Sequence, residues 1–269
     1  MATFKEADHA FYEENGYVVA RDCVPKANCD AVVDAVWDFL EMDRDDPNDW
    51  YRKPHSPGAG MVHMHQHQAL WDNRQHPNVH QAFAEIIGAE KLWVSMDRAN
   101  LKPPQHPDHP EWDHPGFMHW DANTKDLPLG RGVQGVVYLT DTADDQGSFQ
   151  CVPGAHKHLL DTDNPFVPEL REEEYRQIPG SAGDLLIWMV ALPHGNGHNT
   201  SDRPRLAQYI TMGRAGETND DARQNRIKHW RDRTPGGFPG DPRRIEEDHG
   251  TTAELTPLGR KLLGLDLWD

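Results

Sequence analysis

The chain of 269 residues reads as a mainly β fold with α: a double-stranded β-helix (a jelly roll of cupin type) behind N-terminal flanking helices. Three observations predict this. Two amphipathic stretches at helical spacing fall before residue 90. From residue 91, short β-type runs alternate with Gly, Pro, Asp and Asn turn signals. No apolar run approaches the roughly 20 residues of a membrane span. Helices followed by a series of strands is the order expected of a sandwich or jelly roll with a helical layer.

The first helix is predicted over 27–43, where Val32, Val33, Val36, Phe39 and Leu40 recur on one face. A second covers 77–87, with Val79, Phe83, Ile86 and Ile87 on its apolar face, Pro77 opening it and Gly88 closing it. Strands are predicted at 91–101, 117–121, 131–140, 148–153, 184–190 and 205–213. Segment 216–250 is polar, rich in Asp and Arg, and punctuated by Pro-Gly-Gly and Phe-Pro-Gly; loops with one helix are expected there. Leu255 to Trp268 carries enough Leu and Trp to dock on the core. No boundary divides the chain. Residues 1–269 are expected to form one domain, with the jelly-roll core at about 91–213, the helical layer at about 1–90 and an extension at about 214–269.

Composition narrows the function classes. A length of 269 residues is ample for a buried core, and 9% aromatic residues with nine Trp argue for a folded chain. A formal charge of −17 disfavours nucleic acid and anionic membrane surfaces as partners. Cys23, Cys29 and Cys151 cannot all pair with one another and none forms a CxxC, so a reducing cytoplasm is the expected compartment. The opening residues show no basic-then-apolar leader, and the end, Leu-Trp-Asp, is no peroxisomal address. Nothing points to an obligate protein partner. Seventeen His are the unusual feature, and they raise metal and catalytic hypotheses.

Five places compete for a metal. His63, His65 and His67 would share one face of a strand, but a polar strand or loop explains them as well. His106, His109 and His114 lie in a proline-rich loop, and His156 and His158 follow a Val-Pro-Gly turn. His119-Trp120-Asp121 is different. On a strand it sets an imidazole and a carboxylate side by side, two of the three ligands of a non-haem Fe(II) facial triad. His194-Gly-Asn-Gly-His198 follows the apolar strand Gly183–Trp188 and offers a distal third. HxD alone is weak, because the chain has two. The combination is stronger: HxD, a distal His 75 residues on, and Arg205 eleven residues after His194. Arg205 opens the strand-like run Arg-Leu-Ala-Gln-Tyr-Ile-Thr-Met, and its fork suits bidentate grip of a carboxylate. An iron triad with a buried arginine is what a 2-oxoglutarate site requires. The keto acid chelates the metal at one end and leaves a carboxylate to be neutralised at the other.

Several segments then resemble the phytanoyl-CoA dioxygenase family, Fe(II)/2-oxoglutarate oxygenases that include ectoine and phosphonate hydroxylases. They are Phe11-Tyr-Glu-Glu-Asn-Gly-Tyr-Val-Val, Asn100-Leu-Lys-Pro-Pro, Gly147-Ser-Phe-Gln-Cys-Val-Pro-Gly-Ala-His-Lys157, Gly183-Asp-Leu-Leu and His194-Gly-Asn-Gly-His-Asn-Thr-Ser-Asp-Arg-Pro-Arg205. The likeness runs over about residues 9–212. It implies His119, Asp121 and His194 as iron ligands, with His198 outside the set. It also implies Arg205 on the distal carboxylate of 2-oxoglutarate and Lys102 near the cosubstrate. Asn196 stands where the family has Ser and keeps hydrogen-bonding capacity, so a cosubstrate-binding role is expected to be kept; Ala155 replaces another Ser and reads as structural. The implied cofactors are Fe(II), 2-oxoglutarate and O2, with ascorbate a candidate reductant. The implied reaction is hydroxylation of a small-molecule metabolite with release of succinate and CO2. The carboxylate of Asp121 disfavours halogenation. Both ligand imidazoles must be neutral to bind iron, so activity is expected to fall in acid.

Strand parity adds an independent expectation. If Lys102 faces inward, so do Asn100 and Arg98, and three inward polar groups suit a wet pocket for an oxyacid better than a core, which makes Arg98 a candidate cosubstrate-binding residue. The other reading is a strand edge with its polar face in water. Trp93, Trp120, Phe149 and Trp188 are candidates for a hydrophobic pocket wall. The Gly/Pro-punctuated segment 50–67 is a candidate lid, in which Arg52 and Lys53 could meet an anion. Two other classes compete with the oxygenase: a cupin-type metal enzyme that does not use 2-oxoglutarate, and a non-catalytic jelly-roll binding protein.

Overall fold

The computed structural model describes residues 3–52, 60–114, 116–126, 132–157, 164–216 and 218–268. In chain order these carry α1 (Glu6–Asn15), β1 (Tyr17–Ala20), α2 (Lys26–Leu40), β2 (Met61–Val62), α3 (Gln68–Arg74), α4 (Pro77–Ile87), β3 (Leu92–Val94) and β4 (Ala99–Lys102). There follow β5 (Val133–Tyr138), β6 (Phe149–Cys151), β7 (Arg176–Gln177), β8 (Leu185–Met189), β9 (His194–Asn196), β10 (Arg205–Tyr209), β11 (Met212–Arg214), α5 (Asp220–Asp232), α6 (Ile245–His249) and α7 (Pro257–Leu263).

A six-stranded antiparallel sheet, ordered β1-β8-β5-β10-β4-β2, faces a three-stranded one, ordered β7-β6-β9. The pairing β3–β11 forms a small third sheet. This is the jelly-roll core, and side-chain alternation divides the protein into two cores across the large sheet. Leu185, Ile187, Val137, Leu206 and Leu101 point outward into one core with α2, α3 and α4. Their neighbours Leu186, Trp188, Val136, Tyr138 and Ala207 point inward against Phe149, Cys151 and Met118. The outer layer approaches closely because β5 carries Gly135. A Cβ there would lie 2.7 Å from the ring of Phe83 on α4.

The two predicted helices form with their expected faces buried, apart from the half-buried Val33 and Ile86. Gly88 closes α4 in the left-handed region at φ 66°. Three predicted strands need correction. The run 91–101 is two strands, β3 and β4, broken at 95–98. The run 205–213 is likewise two, β10 and β11. Segment 117–121 pairs only at His119. The polar segment 216–250 holds two helices rather than one. Helix α5 buries no residue fully and rests on polar anchors: Asn219 Oδ1 accepts from Ala222 N at 3.0 Å, and Arg226 Nη2 donates to Val94 O at 2.6 Å. The chain end docks as expected. Leu262 and Leu263 are buried, and Trp268 Nε1 donates to Leu92 O at 3.1 Å. No helix among the described residues is long and apolar enough to cross a membrane.

Candidate active site

The inter-sheet space opens to a cavity of about 780 Å³. His119, Asp121 and His194 meet at its wall. Backbone pairing sets their spacing. His119 N donates to His194 O at 2.9 Å and His194 N to His119 O at 3.0 Å, so the residues are direct cross-strand partners with ring centroids 4.7 Å apart. Gly195 permits this approach, since a Cβ there would lie 2.5 Å from Phe117 O. Asp121, two residues past His119, completes the group. Its Oδ1 lies 3.4 Å from His119 Nε2 and its Oδ2 3.4 Å from His194 Nε2.

The donor chemistry fits a first-row divalent metal. Ligands at about 2.1 Å from one ion lie roughly 3 Å apart when adjacent, close to these separations. His194 Nδ1 lies 3.1 Å from Leu192 O; a carbonyl only accepts, so Nδ1 donates and Nε2 keeps its lone pair for the site. Gln134 Nε2 donates to Asp121 Oδ2 at 2.6 Å and orients the carboxylate. The His119 and His194 rings beside it, with Gln134, hold Asp121 far below the usual carboxylate range. Phe149 stacks on His194 at 5.9 Å, and Trp188 packs against the same ring at 5.0 Å.

A second feature lies beside the cavity. Arg205 on β10 and Lys102 on β4 are cross-strand partners, both buried. Arg205 Nη1 donates to Asn100 Oδ1 at 3.1 Å, but Nε and Nη2 have no hydrogen-bond partner. Burial brings Lys102 down to about 7, with Arg205 pushing the same way and Asp113 opposing. A buried guanidinium with two orphaned donors calls for an anion, and the buried Lys102 beside it can add a second positive charge when protonated. Neither lines the cavity, yet both lie within electrostatic reach of His114, which does. Burial, reinforced by Lys102 and His119, pushes His114 down to about 4. Arg205 and Lys102 thus lie behind the cavity that the metal-type triad lines, within electrostatic reach of its His114.

The other sequence candidates fall in different places. Arg98 and Asn196 line the cavity, and Asn196 Nδ2 donates to Tyr209 Oη at 3.3 Å. Asn100 is buried against Arg205, and β4 lies between β10 and β2, so it is no water-facing edge. Of the four aromatic wall candidates, Phe149 and Trp188 line the cavity. Trp120 points away from it and donates to Ala191 O at 3.0 Å; Trp93 lies under Arg226. These two are corrected: the Trp120 indole is turned from the cavity by its bond to Ala191 O, and β3 belongs to the small third sheet. His198 bonds Asp113 at 2.8 Å, and His65 is buried between Met96 O and Pro239 O. In segment 50–67, Arg52 pairs with Asp49 on the surface, Met61 reaches the cavity, and Lys53 lies outside the described residues, as does His158. Sequence reading missed Gln134, Asp97, Tyr209 and Phe238. Gln134 had a signal, as the one polar residue in Val-Gln-Gly-Val-Val.

A jelly roll with two imidazoles and one carboxylate at the mouth of its inter-sheet space defines a class, the non-haem iron oxygenases. Within it, the model of phytanoyl-CoA dioxygenases matches residues 12–207, and the chain belongs to that family, whose cofactors are iron and 2-oxoglutarate and whose reaction is a dioxygenation. A Dictyostelium discoideum protein assigned by name to the phytanoyl-CoA dioxygenases is 22% identical over 82% of this chain and 79% of its own. An ectoine dioxygenase of Bordetella parapertussis is 26% identical over half of each chain. Among solved structures, the epimerase SnoN, determined with Fe3+, α-ketoglutarate and a nogalamycin compound, superposes with a TM-score of 0.58 at 20% identity. That superposition covers 78% of this chain and 83% of SnoN, and shows a shared fold.

Proposed function

We propose that the protein hydroxylates a small-molecule metabolite, with His119, Asp121 and His194 holding ferrous iron and Arg205 holding the distal carboxylate of 2-oxoglutarate. The observation that carries this reading is Arg205, buried beside Lys102 with Nε and Nη2 unpartnered, in a fold whose cavity gathers a convergent His-Asp-His group and whose His114 feels both Arg205 and His119. When bound, the iron and 2-oxoglutarate supply oxygen activation, with succinate and CO2 as coproducts. The chain supplies the geometry. Leu192 O fixes the tautomer of His194, and Gln134 fixes the rotamer of Asp121. Asn100 holds one edge of Arg205 and leaves the other for a carboxylate, within reach of Lys102. Phe149 and Trp188 brace the His194 ring and keep water from that side of it.

Anaerobic titration of metal-free protein with Fe(II), then 2-oxoglutarate, tests this without knowledge of the substrate. The expected result is a saturable visible charge-transfer band that is missing in Asp121→Ala. Iron binding without a band would move the reading to a metal enzyme that does not use 2-oxoglutarate. No iron binding would leave a non-catalytic jelly roll.

A further inference from the structure

The cavity wall that does not carry the metal-type residues comes partly from the C-terminal extension. Phe238 lines it, alongside Asp97, Arg98 and Met61. Arg98 is held there on two sides. Asp97 Oδ1 accepts from both its backbone N, at 2.8 Å, and its Nε, at 3.1 Å. The ring of Phe238 covers the guanidinium face, with Cζ 4.6 Å from the centroid. The Arg98 side chain is 12% exposed, and its Nη1 and Nη2 have no partner among the described residues. A guanidinium fixed at the Nε edge by a carboxylate and on its face by an aromatic ring offers one remaining edge. That edge is the two-nitrogen fork that matches an oxyacid. Met61, Phe117 and Trp188 give the same cavity an apolar side.

We propose that Arg98 is the specificity-determining anchor for the substrate: the substrate carries an oxyanion head on Arg98 and an apolar body toward the triad, with Asp97 and Phe238 as positioning residues. This rests on the 2-oxoglutarate reading, because Arg205 must be occupied by cosubstrate for Arg98 to be left to the substrate. The extension thus completes the active site.

The test is anaerobic calorimetry on full-length protein loaded with Fe(II) and saturating 2-oxoglutarate. The probes are 3-phenylpropanoate, its primary amide, and 2-phenylethylphosphonate. At least one acid is expected to bind ten- to a hundredfold more tightly than the amide, the size of one charge-assisted contact. The tighter acid identifies the head as carboxylate or phosphonate. Arg98→Gln should bring the acids down to the level of the amide, Arg98→Lys should recover part of the loss, and the affinity for 2-oxoglutarate should stay within about twofold. Phe238→Ala should weaken the acids and spare the amide; a merely structural role would move both. Equal binding of acid and amide, or an unchanged Arg98→Gln, overturns the proposal. So does a loss that falls on 2-oxoglutarate instead, which would make Arg98 a cosubstrate residue. Loss of the 2-oxoglutarate band in the wild-type protein is a separate failure, that of the functional reading.

Discussion

The two sheets of the jelly roll use the same antiparallel pairing for different ends. In the six-stranded sheet β5 spans six residues, β8 and β10 five each, and the sheet is buried on both faces, under helices outside and over Phe149 and Cys151 inside. In the three-stranded sheet β6 and β9 have three residues each, and the His119 segment adds a single backbone pair. The metal-type residues lie on this thin side, where Asp121 and His119 reach open cavity. The difference separates stability, which scales with buried apolar area, from chemistry, which requires polar atoms facing a space.

The sharpest test of that separation is Asp121→Ala. It should abolish succinate formation while lowering the unfolding free energy by less than a core truncation does, because the carboxylate is half exposed. Assay of 2-oxoglutarate turnover and urea unfolding on one preparation reads both. A folded variant that turns over normally removes Asp121 from the ligand set. The converse is Ile187→Ala in the middle of β8, fully buried between β1 and β5. It should cost about 2–5 kcal/mol in urea unfolding and leave turnover per folded molecule unchanged.

How far each part could be read from sequence follows the same divide. The long strands were legible because their apolar runs are long enough to carry a period. The breaks inside 91–101 and 205–213 were not, since Ser95–Arg98 and Ile210–Thr211 turn the chain without Gly or Pro, through tertiary bonds such as Ser95 N to Thr211 O at 2.7 Å. Helix α3 has seven residues, too few for a convincing helical pattern, and α5 hides behind a polar face with its signal in the Asn219 cap. In the site, His119, Asp121, His194 and Arg205 stood out by spacing and by likeness to a family. Gln134 and Phe238 did not, because their roles depend on long-range packing: Phe238 reaches Arg98 from 140 residues further along the chain.

Arg205 and Lys102 are the exception that tests the comparison hardest, since they put buried basic side chains inside the stable sheet. Arg205→Met conserves volume and removes a buried charge with two unpartnered donors. Affinity for 2-oxoglutarate should fall by about 1.5–3 kcal/mol, and the ligand-free protein should be no less stable. Calorimetry and thermal unfolding of the same variant decide it, and a large loss of stability would mean that Arg205 is structural.

The smallest effect, and the most specific, is the pH dependence set by Lys102. Burial lowers it to about 7 from an ordinary lysine value of 10.5, so between these values the unfolded chain binds the extra proton and the folded one does not. Stability of the ligand-free protein should therefore rise with pH across that window through this group. Affinity for 2-oxoglutarate should move the opposite way. A second carboxylate favours the protonated amine, so affinity is full below about pH 7 and falls above it, by up to about tenfold per unit while binding must take up the proton. Lys102→Met should weaken binding at neutral pH and flatten both slopes. A pH-independent affinity in the wild-type protein would show either that the anion binds Arg205 alone or that Asp113 keeps Lys102 charged whether or not ligand is present, and would overturn the coupling in both cases.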